Sequence, residues 1–213
     1  MKNYEVKLEI SGPTAMWTRP DTGDAPISYP VPTFAASKGI FESILFSQWA
    51  EIRPTKVEIC SPIVYHHYHT NYTGPLRKAK IIPHGTFQLL ATVLVDVCYR
   101  LYAVPMSSPQ GYDMHGNLGR QKKGTTNGAH AYQAIFNRRL QRGRCYYTPF
   151  LGWKEFVPNY VGPFRSKTTV CEDLNFTIPS MLYTCFPEGQ SSAWCPQFLQ
   201  KAKVEKGVLS YAQ

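Results

Sequence analysis

Residues 89–104 read LLATVLVDVCYRLYAV. Ala91, Val93, Val95, Val97, Tyr99 and Leu101 recur at a period of two, with Thr92, Asp96 and Arg100 on the other side. That alternation predicts one long strand whose apolar side lies on a core. The stretch is also the best candidate for a membrane span, but Asp96 and Arg100 interrupt it well short of the roughly 18 apolar residues a span needs. A soluble body built around this strand is therefore expected.

Upstream, residues 4–11 (YEVKLEIS) alternate Val6, Leu8 and Ile10 against Lys7 and Glu9, a half-buried strand that Gly12-Pro13 is expected to end. Thr33 can cap a helix that carries Ile40, Phe41, Ile44 and Leu45 on one stripe and runs to about Gln48. Residues 56–65 (KVEICSPIVY) read as a second strand. Downstream, residues 105–128 are rich in Gly, Ser, Pro and Asn with almost no apolar periodicity, which predicts a long loop carrying Arg120, Lys122 and Lys123. Residues 130–147 (HAYQAIFNRRLQRGRCYY) then hold a second helix, with Tyr132, Phe136, Leu140 and Ile135 toward the core and Arg138 and Arg142 pointing away, and Gly143 to Tyr147 follow it. Residues 149–162 read as a strand in which Gly152 and Gly162 mark a bulge or a close approach.

The resulting βαββαβ order predicts an α+β, ferredoxin-like (RRM-like) domain over residues 1–165. Residues 166–213 form a C-terminal β-rich extension. In it, residues 173–186 read as a strand and residues 197–212 (QFLQKAKVEKGVLSYA) as a short helix, a turn and a strand.

The chain has 213 residues, with 23 Lys and Arg against 14 acidic residues, a formal charge of +9 and a pI near 9.3. Such a balance points to nucleic acid as a partner. Aromatic residues make up 14% of the chain, which favours unpaired RNA over a DNA groove because every base offers a face for stacking. Arg138, Arg139, Arg142 and Arg144, followed by Tyr146 and Tyr147, are either a solvated basic face or an RNA surface, and the basic loops on both sides of the helix favour the second. Arg77, Lys78 and Lys80 add charge where a phosphate backbone can run. The YHHYH run, Tyr65 to His69, has no acidic or cysteine ligand close in sequence, so exposed or base-stacking aromatics are favoured over a metal site. No cofactor motif occurs. Six cysteines without a C-x-x-C pair, and a charged beginning in place of an apolar leader, lead us to expect reduced thiols in a cytoplasm.

Residues 28–44 (SYPVPTFAASKGIFESI), 94–103 (LVDVCYRLYA), 135–156 (IFNRRLQRGRCYYTPFLGWKEF) and 204–211 (VEKGVLSY) occur in that order. Together they resemble the CRISPR-associated Cas-five proteins of subtype I-C. The resemblance implies a repeat-associated RNA-binding domain that holds the 5′ handle of CRISPR RNA, beside the backbone and large subunits of a surveillance complex. It also implies precursor cleavage at the repeat hairpin without metal, the RNA 2′-hydroxyl serving as nucleophile. Where cleaving members of the family carry Tyr or His and a Lys-His pair, this chain has Leu45 and Ala131-Tyr132. Leu45 reads as core. His130, Tyr132 and Lys122 are then the candidate catalytic residues, either a rearranged site or an accident of sequence. Lys38, Arg77, Lys78, Arg120, Lys123, Arg138, Arg139, Arg142, Arg144 and Tyr146 are the candidate RNA contacts. A structural subunit that holds RNA processed by another nuclease remains the alternative, as does an RNA-binding protein outside CRISPR immunity.

Overall fold

The computed structural model describes residues 4–47, 50–72, 87–107, 127–187 and 193–211. Ten elements follow one another: β1 (Val6–Ala15), α1 (Phe34–Ile44), β2 (Ala50–Ile59), β3 (Val64–Tyr72), β4 (Phe87–Ser107), α2 (Gly128–Gln141), β5 (Tyr160–Gly162), β6 (Phe176–Thr184), β7 (Gln197–Glu205) and β8 (Val208–Ser210). The sheet runs β5-β1-β4-β2-β8-β7-β6, with β3 also paired to β4. Its first four members are the fourth, first, third and second strands of a βαββαβ unit, which is the ferredoxin-like order. The C-terminal strands continue the same sheet through β8 on the outer edge of β2.

One row of side chains shows how the register builds the core. Leu8 on β1 stands opposite Leu101 on β4, Leu101 opposite Val57 on β2, Val57 opposite Leu209 on β8, and Leu209 opposite Val204 on β7. All five are buried. On the stripe of α1, Ile40, Phe41 and Ile44 are buried, as are Tyr132, Phe136 and Leu140 on α2, and the Phe41 and Phe136 rings meet at 5.7 Å between the helices. The Thr33 hydroxyl accepts from the Ala36 N–H at 3.1 Å and so begins α1 as its sequence suggests.

Several boundaries differ from the sequence reading. α1 ends at Ile44, because Leu45 is already extended, and Gln48 lies outside the described residues. β1 continues past Gly12-Pro13 to Ala15; the ladder to β4 loses only the Pro13–Asp96 pair, where Pro13 has no N–H and Asp96 has φ 52°. Beside that left-handed residue the alternation is interrupted, Leu94 being buried and Val95 only partly covered, while Ala91 and Val93 before it and Val97, Tyr99 and Leu101 after it are buried as expected. Residues 56–65 belong to two strands, β2 and β3, separated by a break at 60–63. Only residues 160–162 of the stretch 149–162 are strand; the rest is a compact loop, closed by the Leu151 N–H to Phe156 O bond at 2.7 Å and by Trp153 stacked on Phe156. Residues 197–210 are two strands around Lys206-Gly207, both at positive φ, a hairpin turn rather than a helix. The three-residue spacing of Leu199 and Ala202, which imitates a helix, comes from Lys201 at φ 52° inside β7.

On the sheet surface that carries the charges, Glu9 is fully buried beneath residues 164–168. Its carboxylate meets Arg165 and, at 3.4 Å, Arg100; it also accepts from the Arg165 N–H at 3.1 Å and the Thr168 hydroxyl at 2.9 Å. Burial by itself would raise the Glu9 carboxyl, but these donors, led by the Arg165 side chain, hold it below its ordinary value. A depressed carboxyl contributes stability above its unfolded pKa and loses it as pH falls through the folded value. We expect Glu9→Gln to lower unfolding free energy by about 3 kcal/mol near neutral pH, by leaving two guanidinium groups without their counter-charge. The gap to wild type should narrow in urea titrations carried progressively below the ordinary carboxylate value of 4.5. Gly152, at φ 93°, lies so close to the Met16 carbonyl that a Cβ would collide with it. Gly152→Ala should therefore cost more than about 2 kcal/mol in the same assay.

Candidate nucleic-acid interface

The charged end of α2 is shaped by its cap. Arg138 and Arg139 occupy the last turn, where cations complement the helix dipole. Gly143 at φ 61° then reverses the chain, with the Gly143 N–H on Leu140 O at 3.2 Å and the Arg144 N–H on Arg139 O at 2.9 Å. The reversal brings Tyr146 and Tyr147 back to α1, where both backbone N–H groups donate to Ser43 O, at 2.7 and 3.1 Å. The Tyr147 hydroxyl donates to Gly39 O at 3.0 Å.

An aromatic surface results. Phe46, just beyond α1, stacks on Tyr146 at 5.9 Å and 27°, and Tyr147 meets Tyr146 edge-on at 6.0 Å. All three are exposed, Tyr146 to 62%. Arg138, Arg142 and Arg144, at the end of α2 and in the segment that leads to these tyrosines, are exposed and form no ion pair among the described residues. Arg139 is half-buried, and its Nε is buried with no hydrogen-bond partner among the described residues. Burial raises the Tyr147 hydroxyl and the Cys145 thiol; the Glu42 charge adds to the first, and Arg139 opposes the second. Unpaired guanidinium groups beside upright aromatic rings suit a strand with spaced phosphates and unstacked bases.

The other sequence candidates divide. Lys38 is held by Glu51 at 2.7 Å, so its charge is already matched. Arg77, Lys78, Arg120, Lys122 and Lys123 lie outside the described residues. His130 is exposed in the first turn of α2, with Tyr4 edge-on at 5.5 Å. Tyr132, two residues on, faces inward and is 1% exposed, and its hydroxyl donates to Leu45 O at 2.8 Å. Burial, with Glu42 nearby, pushes that hydroxyl well above the ordinary tyrosine value. In this structure Tyr132 ties α2 to the end of α1, whereas His130 faces solvent. His66, His67 and His69 lie exposed on β3, and no three His, Cys, Asp or Glu side chains converge into a metal-binding group among the described residues. No helix among the described residues is long and apolar enough to cross a membrane. All six cysteines are free thiols.

Sequence reading missed Phe46. It lies beyond the helical stripe, and what brings it to Tyr146 is Ser43 O accepting from a segment about a hundred residues away, for which the local sequence carries no signal.

No protein-family model matches the chain. It is 27% identical over 160 residues to the CRISPR pre-crRNA endoribonuclease Cas5d of Thermus thermophilus, a match covering 74% of this chain and 63% of that protein, less than two thirds of its length. It is 26% identical over 172 residues to the protein of the same name from Mannheimia succiniciproducens, covering 73% of this chain and 71% of that one. The fold is shared with the crystal structure of a CRISPR-associated protein, at a TM-score of 0.69 and 18% identity, over 98% of this chain and 92% of the other. The chain is thus similar in sequence to two proteins of one name, and it shares its fold with a CRISPR-associated protein.

Proposed function

We propose that this chain is an RNA-binding subunit of a type I CRISPR surveillance complex, of subtype I-C, that holds the 5′ handle of CRISPR RNA on the surface formed by α2 and the segment 142–147. The observation that carries the reading is the cluster of unpaired Arg138, Arg142 and Arg144 beside the Phe46–Tyr146–Tyr147 surface. The likeness to two proteins named as pre-crRNA endoribonucleases supports RNA as the partner. Backbone and large subunits are the protein partners in this reading, and residues 166–213, the extension beyond the RNA-binding domain, offer them further surface.

Precursor cleavage is the finer part of the proposal. In metal-independent cleavage the RNA 2′-hydroxyl attacks the adjacent phosphorus as it loses a proton, the bond to the 5′ oxygen breaks, and that oxygen gains a proton; the products end in a 2′,3′-cyclic phosphate and a 5′-hydroxyl. His130 is exposed and can move a proton in either half of this reaction. Lys122 would stabilise charge on the phosphate. The burial of Tyr132 and Leu45 favours the second reading, a subunit that holds RNA cut by another nuclease.

Phosphate-dominated binding predicts a steep fall of affinity with salt. Replacing Arg138 and Arg142 together by Ala should lower the slope of log affinity against log salt by about one to two contacts, as measured by fluorescence anisotropy on a repeat RNA. An unchanged slope with an intact fold would return these arginines to the solvated-face reading.

Incubating the protein with repeat RNA in EDTA separates the two readings. Cleavage there, abolished by a 2′-deoxy nucleotide before the scissile phosphate and slowed about 10² to 10⁴-fold by His130→Ala, supports the nuclease. Tight binding of intact RNA supports the structural subunit. Tyr132→Phe should cost about 1 kcal/mol of stability through its lost hydrogen bond and leave RNA binding unchanged in either case.

A further inference from the structure

Between α1 and the segment 147–152 lies a crevice of about 170 Å³, lined by Trp17, Ala36, Gly39, Ser43, Tyr147 and Phe150 among others. Its lining is mainly apolar and includes three aromatic rings. A cavity of about 150 Å³ suffices to hold a benzene ring, so this one has the size for a single flat ring system. Tyr147 belongs both to this lining and to the exposed aromatic surface, so the crevice adjoins that surface.

Gly39 is the unexpected residue. It sits inside α1, where glycine is less favourable than alanine by about 1 kcal/mol. Its backbone has no positive φ to require glycine, and a Cβ placed on it would touch nothing within 4 Å among the described residues. Neither conformation nor packing within the chain accounts for the missing side chain. What its absence does is keep the crevice open.

We propose that this crevice receives one unpaired nucleobase of a bound RNA strand, turned out of the stack and held against Tyr147 and Phe150. The proposal rests on the RNA-binding reading above and adds a position-specific base site to its phosphate contacts. Polar groups are available for an edge of the base. The Ser43 hydroxyl, buried in the lining, donates to Ile40 O at 2.6 Å and keeps lone pairs that only a group seated inside the crevice could reach. The Tyr147 hydroxyl, donating across the crevice to Gly39 O, keeps acceptor capacity in the same way. Extruding a base from single-stranded RNA costs little, because no pair has to be broken.

The test uses short single-stranded RNAs, matched in sequence, in which one abasic ribose is moved from position to position. Wild-type protein should lose about 5- to 100-fold in affinity when the abasic ribose reaches one particular position, and little elsewhere. A 2-aminopurine at that position should change its fluorescence on binding. Gly39→Leu, which fills the crevice, should bind intact RNA with a similar loss, become indifferent to the abasic ribose, and keep the salt slope of wild type. Gly39→Ala should fold at least as stably and fall between the two. Equal affinity for every abasic RNA, or wild-type affinity in a folded Gly39→Leu, overturns the base pocket and leaves the phosphate-binding reading standing. Failure of wild-type protein to bind any of these RNAs overturns both. Should Gly39→Leu fail to fold, the abasic series on wild type decides by itself.

Discussion

The ferredoxin-like unit is built around β4, with which β1, β2 and β3 all pair, while β5 joins the sheet through β1. Over its 21 residues β4 meets β1 on one side and, on the other, β2 along one half and β3 along the rest. An interior strand has to satisfy its backbone on both sides, and two neighbours in succession are needed where one is too short. Asp96 stands at the change from one to the other. The β2 register adds to 158 in residue number at Ile59–Tyr99, whereas the β3 register adds to 159 at Val64–Val95, so one residue of slippage is absorbed there. Asp tolerates the left-handed conformation better than most residues, and here its side chain is exposed. α2 packs against the same strand, and Tyr132, Phe136 and Leu140 are the large side chains that it buries.

The placement of charge follows from the same sheet. Arg100 and Arg165 share the Glu9 carboxylate, while Lys56 is paired with Glu58, Lys38 with Glu51 and Arg19 with Asp21. These pairs differ in energetic weight. The Arg19–Asp21 pair is exposed and adds little, whereas Glu9 has no solvent to fall back on. The arginines at the end of α2 have no such partners among the described residues, and Arg138, Arg142 and Arg144 are three exposed, unmatched charges close together in sequence where the chain leaves that helix. A net charge alone says only that a polyanion is attracted. Unmatched guanidinium groups in one short segment with exposed rings have the chemistry to suit a polyanion with accessible bases.

What the sequence made legible follows physical range. Tyr132, Phe136 and Leu140 are legible because a helical stripe is a local pattern, and Thr33 because a cap acts within three residues. The order of elements, and with it the ferredoxin-like arrangement, needs only their sequence and approximate length. Bulges defeat the same method. A single left-handed residue at Lys201 turns an alternating strand into something with helical spacing, and no neighbour in sequence reveals it. The end of β1 is a related case: Gly12-Pro13 is a sound stop signal, yet the partner strand gives way at the opposite residue and the ladder continues. The site divides in the same manner. The arginines lie on one helix and the loop after it and are read together, whereas Phe46 joins Tyr146 only through a hydrogen bond to Ser43 O that crosses the fold.

His130 and Tyr132 illustrate why residue type and spacing underdetermine a catalytic role. Two positions apart on a helix, side chains point about 200° from one another and cannot share a face. If the stripe Tyr132–Phe136–Leu140 faces the core, His130 has to face away from it, and the pair cannot act on one phosphate as neighbours. The structure adds the reason that Tyr132 holds its place: its hydroxyl meets the Leu45 carbonyl at the end of α1, where helix carbonyls lack intrahelical donors. A buried polar group that is already matched gains nothing by turning outward, and doing so would leave both a cavity and an unpaired carbonyl. Any proton transfer at this end of α2 therefore depends on His130, on groups outside the described residues, or on the RNA itself.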